Sequence, residues 1–378
     1  MNICAITTSR IPSPNANSIQ ALKAVQALLQ EGHNVTLFGF DPLPEFAGQD
    51  LCRFYGLQQP VEVRTFRSSR RLFPYVAFLQ ALRLKPDLIY TWVPQVAALA
   101  LLTGQAVIFE IHLQPSGSFG PFWHRLFARL PGRKRLVSIT QALYRLLQTR
   151  YGIHLPPDQV VIAPNGVDLE RYADLPSPQE ARRQLGLPET FTVLCSGHLY
   201  AGRGVELFLE LAKHFPETHF LWVGGRPQEV KYWQEQQARR QLENVTFYGF
   251  VPNHTLPLFQ AAADVLLMPY EERVGVSSGQ IDSAAIASPM KMFEYLASGR
   301  PILTSDLPVL REVLDETTAI FCPPADVEAW KEALQRLLAN PALRVALGRE
   351  ARCRAQAYTW RERAHRILQG CETWLEDR

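Results

Sequence analysis

The stretch Phe191-Thr192-Val193-Leu194-Cys195-Ser196-Gly197-His198-Leu199-Tyr200-Ala201-Gly202-Arg203-Gly204 carries the chain from an apolar run through three glycines. Phe191 to Cys195 is short, apolar and β-branched, as a buried strand is. The glycines mark a turn. Val205 to Phe215 then reads as a helix and Phe220 to Val223 as a second strand. A strand, a helix and a strand in that order make a parallel crossover. Downstream the pattern continues. Glu229 to Leu242 is predicted helical, Val245 to Tyr248 a strand, Leu256 to Ala262 a short helix and Val265 to Met268 a strand. Met290 to Ala297 is a further helix, and Pro301 to Thr304 a strand.

Upstream the same alternation holds. Ile3 to Thr7 reads as the first strand, and Ser18 to Gln30 as a helix with Ile19, Leu22, Val25 and Leu29 at helical spacing. Gly32 suits the helix end, and Val35 to Phe40 is the next strand. Leu88 to Tyr90, Val107 to Ile111 and Leu136 to Ile139 follow as strands, and Ala142 to Tyr151 as a helix closing on Gly152. No short-period repeat is visible; what repeats is the architecture, an α/β half of similar size on each side of Asn165. The tail Thr359-Trp360-Arg361-Glu362 has the form of a capping box. It opens a helix expected to run to about Trp374 and to cross back to the first domain.

At 378 residues the chain exceeds what one core usually serves. Its 47% hydrophobic and 20% charged residues are ordinary for a globular protein. The six cysteines are scattered without a paired spacing, which reads as reduced thiols in a reducing compartment. Met1 to Ile6 reads as a strand rather than a leader peptide. The longest apolar run, Val96 to Leu102, is far shorter than a membrane span.

The net charge of +3 hides an asymmetry: residues 1–165 hold 16 Lys and Arg against 8 Asp and Glu. A basic first half fits an anionic partner such as a membrane surface, a lipid phosphate or an acidic glycan, or is merely a solvated surface. Two clusters sharpen the first reading. Arg64, Arg67, Arg70 and Arg71 precede Leu72-Phe73-Pro74-Tyr75, and Arg125 to Arg135 accompany Phe122, Trp123 and Phe127. Basic residues beside exposed aromatics suit an interfacial contact. Nucleic acid is disfavoured, because no recognised binding module accompanies the charge.

Five segments carry a family resemblance. They are Val160-Val161-Ile162-Ala163-Pro164-Asn165-Gly166-Val167-Asp168, the glycine turn 197–204, Val245-Thr246-Phe247-Tyr248-Gly249-Phe250-Val251-Pro252, Ala263-Asp264-Val265-Leu266-Leu267-Met268-Pro269, and Ser288-Pro289-Met290-Lys291-Met292-Phe293-Glu294-Tyr295-Leu296-Ala297-Ser298-Gly299-Arg300-Pro301. In this order they resemble the second half of family-4-type glycosyltransferases of the GT-B fold. The first half is similar more loosely, through its opening strand and helix and through Glu110-Ile111-His112. The resemblance implies an α/β chain of two Rossmann-like domains facing across a cleft. Residues 1–165 would bind the acceptor, 166–355 the nucleotide-sugar donor, and 356–378 would form the crossover helix.

The physical chemistry of these residues agrees. Donor cleavage loads negative charge onto a diphosphate, which a site must stabilise in the transition state. Arg203, in a glycine-flanked turn after a strand, can fork two hydrogen bonds onto phosphate; the plain alternative is a solvated loop arginine. Ser288 suits an N-cap and Pro289 the first helical turn. The N–H groups at Met290 and its neighbours would then form an anion site, to which Lys291 adds a charge. The resemblance implies that Glu294 takes the donor ribose hydroxyls and that Phe250 and Val251 flank the nucleobase. It also implies that Gly197 and His198 lie beside the diphosphate and that His112 meets a sugar hydroxyl. Asn17 and Ser18 would offer N–H groups at the first helix start.

Three positions depart from the family pattern. Ile286 stands where the family has the first Glu of its motif, with Asp282 or Ser283 as candidate substitutes. His198 replaces an Arg, and the opening loop 13–18 lacks a double glycine. The expected activity is hexosyl transfer from a UDP- or GDP-sugar to a glycan or lipid-linked acceptor. It would proceed with retention, without a cofactor and without a metal motif. The expected location is cytoplasmic, with peripheral contact at the inner face of an anionic membrane. A catalytically silent nucleotide-sugar-binding protein and a phosphorylase or epimerase of the same fold remain alternatives. A nicotinamide dehydrogenase is disfavoured by the lack of a Gly-x-Gly-x-x-Gly after the first strand.

Overall fold

The computed structural model describes residues 1–273 and 284–375. The chain divides into two compact units, Met1–Asn165 joined by the segment from Trp360 onward, and Gly166–Thr359. Each is built on one parallel sheet, so both are Rossmann-like α/β domains.

Among the described residues the first sheet has seven strands. They are β1 (Asn2–Arg10), β2 (Asn34–Phe40), β3 (Glu62–Phe66), β4 (Leu88–Thr91), β5 (Val107–Ile111), β6 (Lys134–Ser138) and β7 (Val160–Ile162). Their spatial order is β3-β2-β1-β4-β5-β6-β7. The second sheet has six: β8 (Thr192–Ser196), β9 (His219–Val223), β10 (Val245–Gly249), β11 (Val265–Met268), β12 (Ile302–Ser305) and β13 (Ala319–Cys322). Their order is β10-β9-β8-β11-β12-β13. Helices cover parallel sheets on both faces, so the inner strands read as continuous apolar runs. Strands β4, β5, β8, β9, β11 and β12 are accordingly buried along their whole length, whereas the edge strand β3 is not.

The two sheets reverse their strand order at equivalent places, between β1 and β4 and between β8 and β11. In open α/β sheets that reversal leaves a crevice beyond the carboxyl ends of the strands, where ligands bind. In the second unit the loops leaving β8 and β11 therefore bound the candidate site. The core beneath them is aromatic. Phe208 meets Phe220 and Trp222 edge-on at 5.4 and 5.2 Å between ring centroids. The Trp330 indole, fully buried, donates to Pro323 O at 2.9 Å.

Several elements differ from their sequence expectation. The first helix begins at Ala16, so Ser18 lies inside the first turn. Its hydroxyl donates to Arg10 O and its N–H to Asn15 O, at 2.9 and 3.0 Å. The apolar run at Val96 is part of a helix, Pro94–Leu102, packed against the first sheet. The tail helix runs from Trp360 to Leu368, not to Trp374. Gly370, at φ +78°, turns the chain into a separate short 3-10 turn, Glu372–Leu375.

As expected, the tail helix returns to the first domain, packing on the helix Ala16–Gln30. There Arg361 pairs with Glu31 at 2.8 Å. Arg135 donates to Ile367 O and Gln369 O, at 2.6 and 2.9 Å. Arg135 and Lys134 are thus buried structural cations, and the 125–135 cluster is less of a charged surface than its sequence suggests. Lys134 caps the helix Gly120–Arg129 by donating to Phe127 O and Ala128 O, and Phe127 itself is buried.

Candidate functional site

The residues of the second unit converge at the ends of β8 and β11. After β8 the chain turns through Gly197 to Gly204 before the helix Val205–His214. After β11 it passes through Pro269 and Tyr270. The two loops lock together through backbone: Glu271 donates its N–H to Gly202 O at 3.0 Å. Gly204, at φ +75°, sits so close to Pro269 that a Cβ there would lie 1.8 Å from the proline carbonyl oxygen. Only glycine allows this approach.

The approach seats Arg203 over Tyr270. Its guanidinium carbon is 5.0 Å from the ring centroid, and Nη1 donates to the Tyr270 hydroxyl at 2.7 Å. Lys291, in the helix Met290–Ser298, lies over the same ring at 4.7 Å. Its ammonium donates to Ser196 O at 3.1 Å. One aromatic ring therefore holds two cations, and cation–π attraction offsets part of their mutual repulsion. The Arg203 Nε is buried without a hydrogen bond.

Gly197 adjoins Lys291: a Cβ built on it would meet Nζ at 4.0 Å. The helix carrying Lys291 starts at Met290, where its pattern places it, but its N-cap falls one residue later than the expected Ser288. Pro289 occupies the N-cap without a side-chain cap, and Met290 is the first helical residue. Ser288, buried, precedes the cap. The neighbouring His198 ring stacks on Tyr200 at 4.8 Å and 12°. Arg226 lies over the other ring, 5.5 Å from the Tyr200 centroid. Burial, helped by Arg203 and Arg226, lowers the His198 pKa, so the ring is held neutral at this position. Its Nδ1 is buried and without a hydrogen bond.

One turn further along the same helix, Glu294 accepts from Gln260 Nε2 at 3.4 Å, and Gln260 Oε1 accepts from the Tyr172 hydroxyl at 2.9 Å. Gln260 belongs to the helix Leu256–Ala261, into which the turn carrying Phe250 and Val251 leads. Phe250 is half exposed and Val251 is partly buried. Lys291 and Glu294, three residues apart, thus address different neighbours, the first β8 and Tyr270, the second Gln260. Ile286 is buried, while Asp282 and Ser283 lie outside the described residues.

In the first unit, Asn17 is exposed at the start of its helix, while Ser18 is turned inward as described above. His112 directly follows β5, and its side chain is one quarter exposed. Its Nε2 is 2.5 Å from Glu110 Oε1. Glu110 is buried, and its carboxylate also accepts from Gln20 Nε2 and Arg363 Nη2, each at 2.7 Å, and from the Tyr90 hydroxyl. Burial alone would raise the Glu110 pKa. The Arg363 guanidinium, His112 and the Tyr90 hydroxyl outweigh it and hold the carboxyl well below the usual range.

Three residues beside or beneath these groups have roles that the sequence does not assign. Tyr270 and Gln260 are ordinary residue types whose partners lie far away in the chain. Glu110 had a signal, a lone carboxylate inside the apolar strand Val107–Ile111; such a group is almost never buried unless paired. Among the described residues, no cluster of His, Cys, Asp and Glu side chains is arranged to hold a metal ion.

Residues 190–340 match the family model described as glycosyl transferases group 1, and residues 19–171 that of glycosyltransferase family 4. The chain is 29% identical over 223 residues to a GDP-mannose-dependent alpha-(1-6)-phosphatidylinositol monomannoside mannosyltransferase of Mycolicibacterium smegmatis, covering 57% of this chain and 55% of that one. It is 26% identical over 217 residues to an alpha-galactosylglucosyldiacylglycerol synthase of Streptococcus pneumoniae, covering 54% and 52%. The matched stretches span about half the length of these two relatives. Among solved structures, HepE of Anabaena in complex with UDP superposes with a TM-score of 0.75 at 18% identity, over 99% of this chain and 100% of that one. Sucrose-phosphate synthase from Thermosynechococcus elongatus gives 0.76 at 20% identity, over 100% of both chains. At these identities the likeness shows the fold.

Proposed function

We propose, from the premise that this chain belongs to the group 1, family 4 glycosyltransferases of the GT-B fold, that it moves a sugar from a nucleotide-diphosphate donor to an acceptor hydroxyl. One observation carries this reading. Arg203 and Lys291 share the ring of Tyr270 beside Gly197 and the start of the helix Met290–Ser298. Two cations and a helix start at the carboxyl end of β8 form a place where a departing diphosphate gains charge stabilisation.

In the proposed reaction the bond from the anomeric carbon to the diphosphate oxygen breaks as the acceptor oxygen bonds to the same face of that carbon. The acceptor proton passes to the leaving phosphate oxygen, so configuration is retained and no protein nucleophile is needed. Glu294 takes the ribose hydroxyls, Phe250 and Val251 flank the base, and His112 takes a hydroxyl of the transferred sugar. The donor is a UDP- or GDP-sugar. In support, HepE of Anabaena was solved with UDP and with UDP-glucose, and the mycobacterial relative is GDP-mannose-dependent.

The acceptor is a glycan or lipid-linked hydroxyl bound by the first unit, which also meets an anionic lipid surface. Exposed Leu72, Tyr75, Val76 and Leu79 adjoin exposed Arg67, Arg70 and Arg71 there. No helix among the described residues is long and apolar enough to cross a membrane.

Thermal unfolding with a panel of UDP-, GDP- and ADP-sugars tests the donor, because a ligand of the native state raises its stability. Product analysis then tests transfer. Arg203→Ala should cost about 2–4 kcal/mol of transition-state stabilisation. Unchanged turnover in that variant would remove the basis of the assignment. A second reading, a silent nucleotide-sugar-binding protein, is favoured by buried Ile286 and the neutral His198. A donor-induced thermal shift without transfer or slow donor hydrolysis selects it.

A further inference from the structure

We infer that Glu110, ion-paired to Arg363, positions His112: the carboxylate accepts the Nε2 hydrogen bond and thereby leaves Nδ1 as a hydrogen-bond acceptor for a substrate hydroxyl. The inference rests on the reading of His112 as a sugar contact given above, and adds the residue that sets its chemical form.

Glu110 Oε1 takes three donors: His112 Nε2 at 2.5 Å, Gln20 Nε2 at 2.7 Å and Arg363 Nη2 at 2.7 Å. Its other oxygen takes the Tyr90 hydroxyl. The side chain has no solvent exposure, and Arg363 is 4% exposed. A buried carboxylate paired with a buried guanidinium stays ionised and can only accept. The imidazole nitrogen facing it must therefore carry the proton. In the neutral ring the other nitrogen is then an acceptor. Nδ1 makes no hydrogen bond among the described residues, on a side chain that is one quarter exposed. A substrate hydroxyl meeting it donates.

The cation comes from the tail helix, far along the chain from β5. Arg363 also donates through Nε to Pro164 O at 2.8 Å, which fixes the guanidinium plane. The Arg363 side chain thus ties the end of the first sheet to the tail, and the buried carboxylate passes that constraint to the histidine. Carboxylates that orient a working histidine are a general device.

Nitrogen-15 spectra of the full chain, with the His112 ring assigned from the spectrum of His112→Gln, read the tautomer directly. At mildly alkaline pH the proton is expected on Nε2 and Nδ1 bare. A proton on Nδ1 overturns the proposal. In a transfer assay, Glu110→Asp keeps the charge beside Arg363 but withdraws the carboxylate from the imidazole. It should lower kcat about 10–100-fold with little change in KM, and should cost nothing further in a His112→Gln background. Full kcat in folded Glu110→Asp, or an equal loss without His112, overturns the positioning role. Should Glu110→Asp not fold, Arg363→Lys replaces it. It keeps a cation on Glu110, so wild-type tautomer and most of the turnover are expected, and loss of both overturns the proposal. A chain with Nε2–H and no transfer from any nucleotide sugar overturns the functional reading instead.

Discussion

Gly204 shows how one missing side chain builds a site. Alanine at this position meets the Pro269 carbonyl oxygen and a φ of +75° at once. The left-handed backbone and the forced displacement together cost about 2–4 kcal/mol. Gly204→Ala should lose that much in urea denaturation. It should also abolish the donor-induced thermal shift, because the loop carrying Arg203 can no longer lie against Tyr270. A variant as stable and as responsive as the wild type would contradict this account. The glycine is plain in the sequence, and so is Arg203 beside it. Pro269 and Tyr270, which give both residues their purpose, are not, because the contact joins loops that only the sheet order brings together. Glu110 is a similar case. Its residue type was visible, but its cation, Arg363, sits on an element whose landing place periodicity does not encode.

At the scale of elements, regular strands and helices were legible where apolar residues repeat with a clear period. Strand β8 and the helix after it fall close to where their pattern places them. Ends were less legible: Gly370 stops the tail helix early, and Pro289 rather than Ser288 sits at the cap of the helix carrying Lys291. These ends are decided by single backbone angles, which average patterns do not resolve. Neighbouring strands also set proton affinities. His219 opens β9, buried, with Nε2 2.9 Å from Thr246 Oγ1 of β10. Burial, with Arg182 adding to it, pushes its pKa down to about 4. The unfolded chain binds a proton near pH 6.5, before the folded one does, so stability falls as pH drops from there towards about 4. The loss approaches roughly 3 kcal/mol at the acid end. His219→Gln should flatten that part of the stability–pH curve relative to the wild type. Parallel curves would show that the ring titrates normally.

At the scale of the whole molecule, charge is divided unequally. The first 165 residues carry twice as many basic as acidic residues, 16 against 8. Part of that excess is internal, since Lys134 and Arg135 are buried on backbone carbonyls. The outward part includes Arg67, Arg70 and Arg71 beside Leu72 and Leu79, which are 60% and 61% exposed. Flotation with phosphatidylglycerol vesicles should carry the wild-type chain and fail with phosphatidylcholine alone. Adding salt, or replacing Leu72 and Leu79 with Asp, should release it. Equal flotation on both lipids would remove the electrostatic part of the reading.

The first unit is sewn from two separated stretches of the chain, with the second unit made in between. A ribosome therefore releases Glu110 long before the arginine that neutralises it, and completes the later sheet while the earlier one still lacks its closing helix. Birth order and assembly order run opposite ways: the lobe begun first is the one finished last.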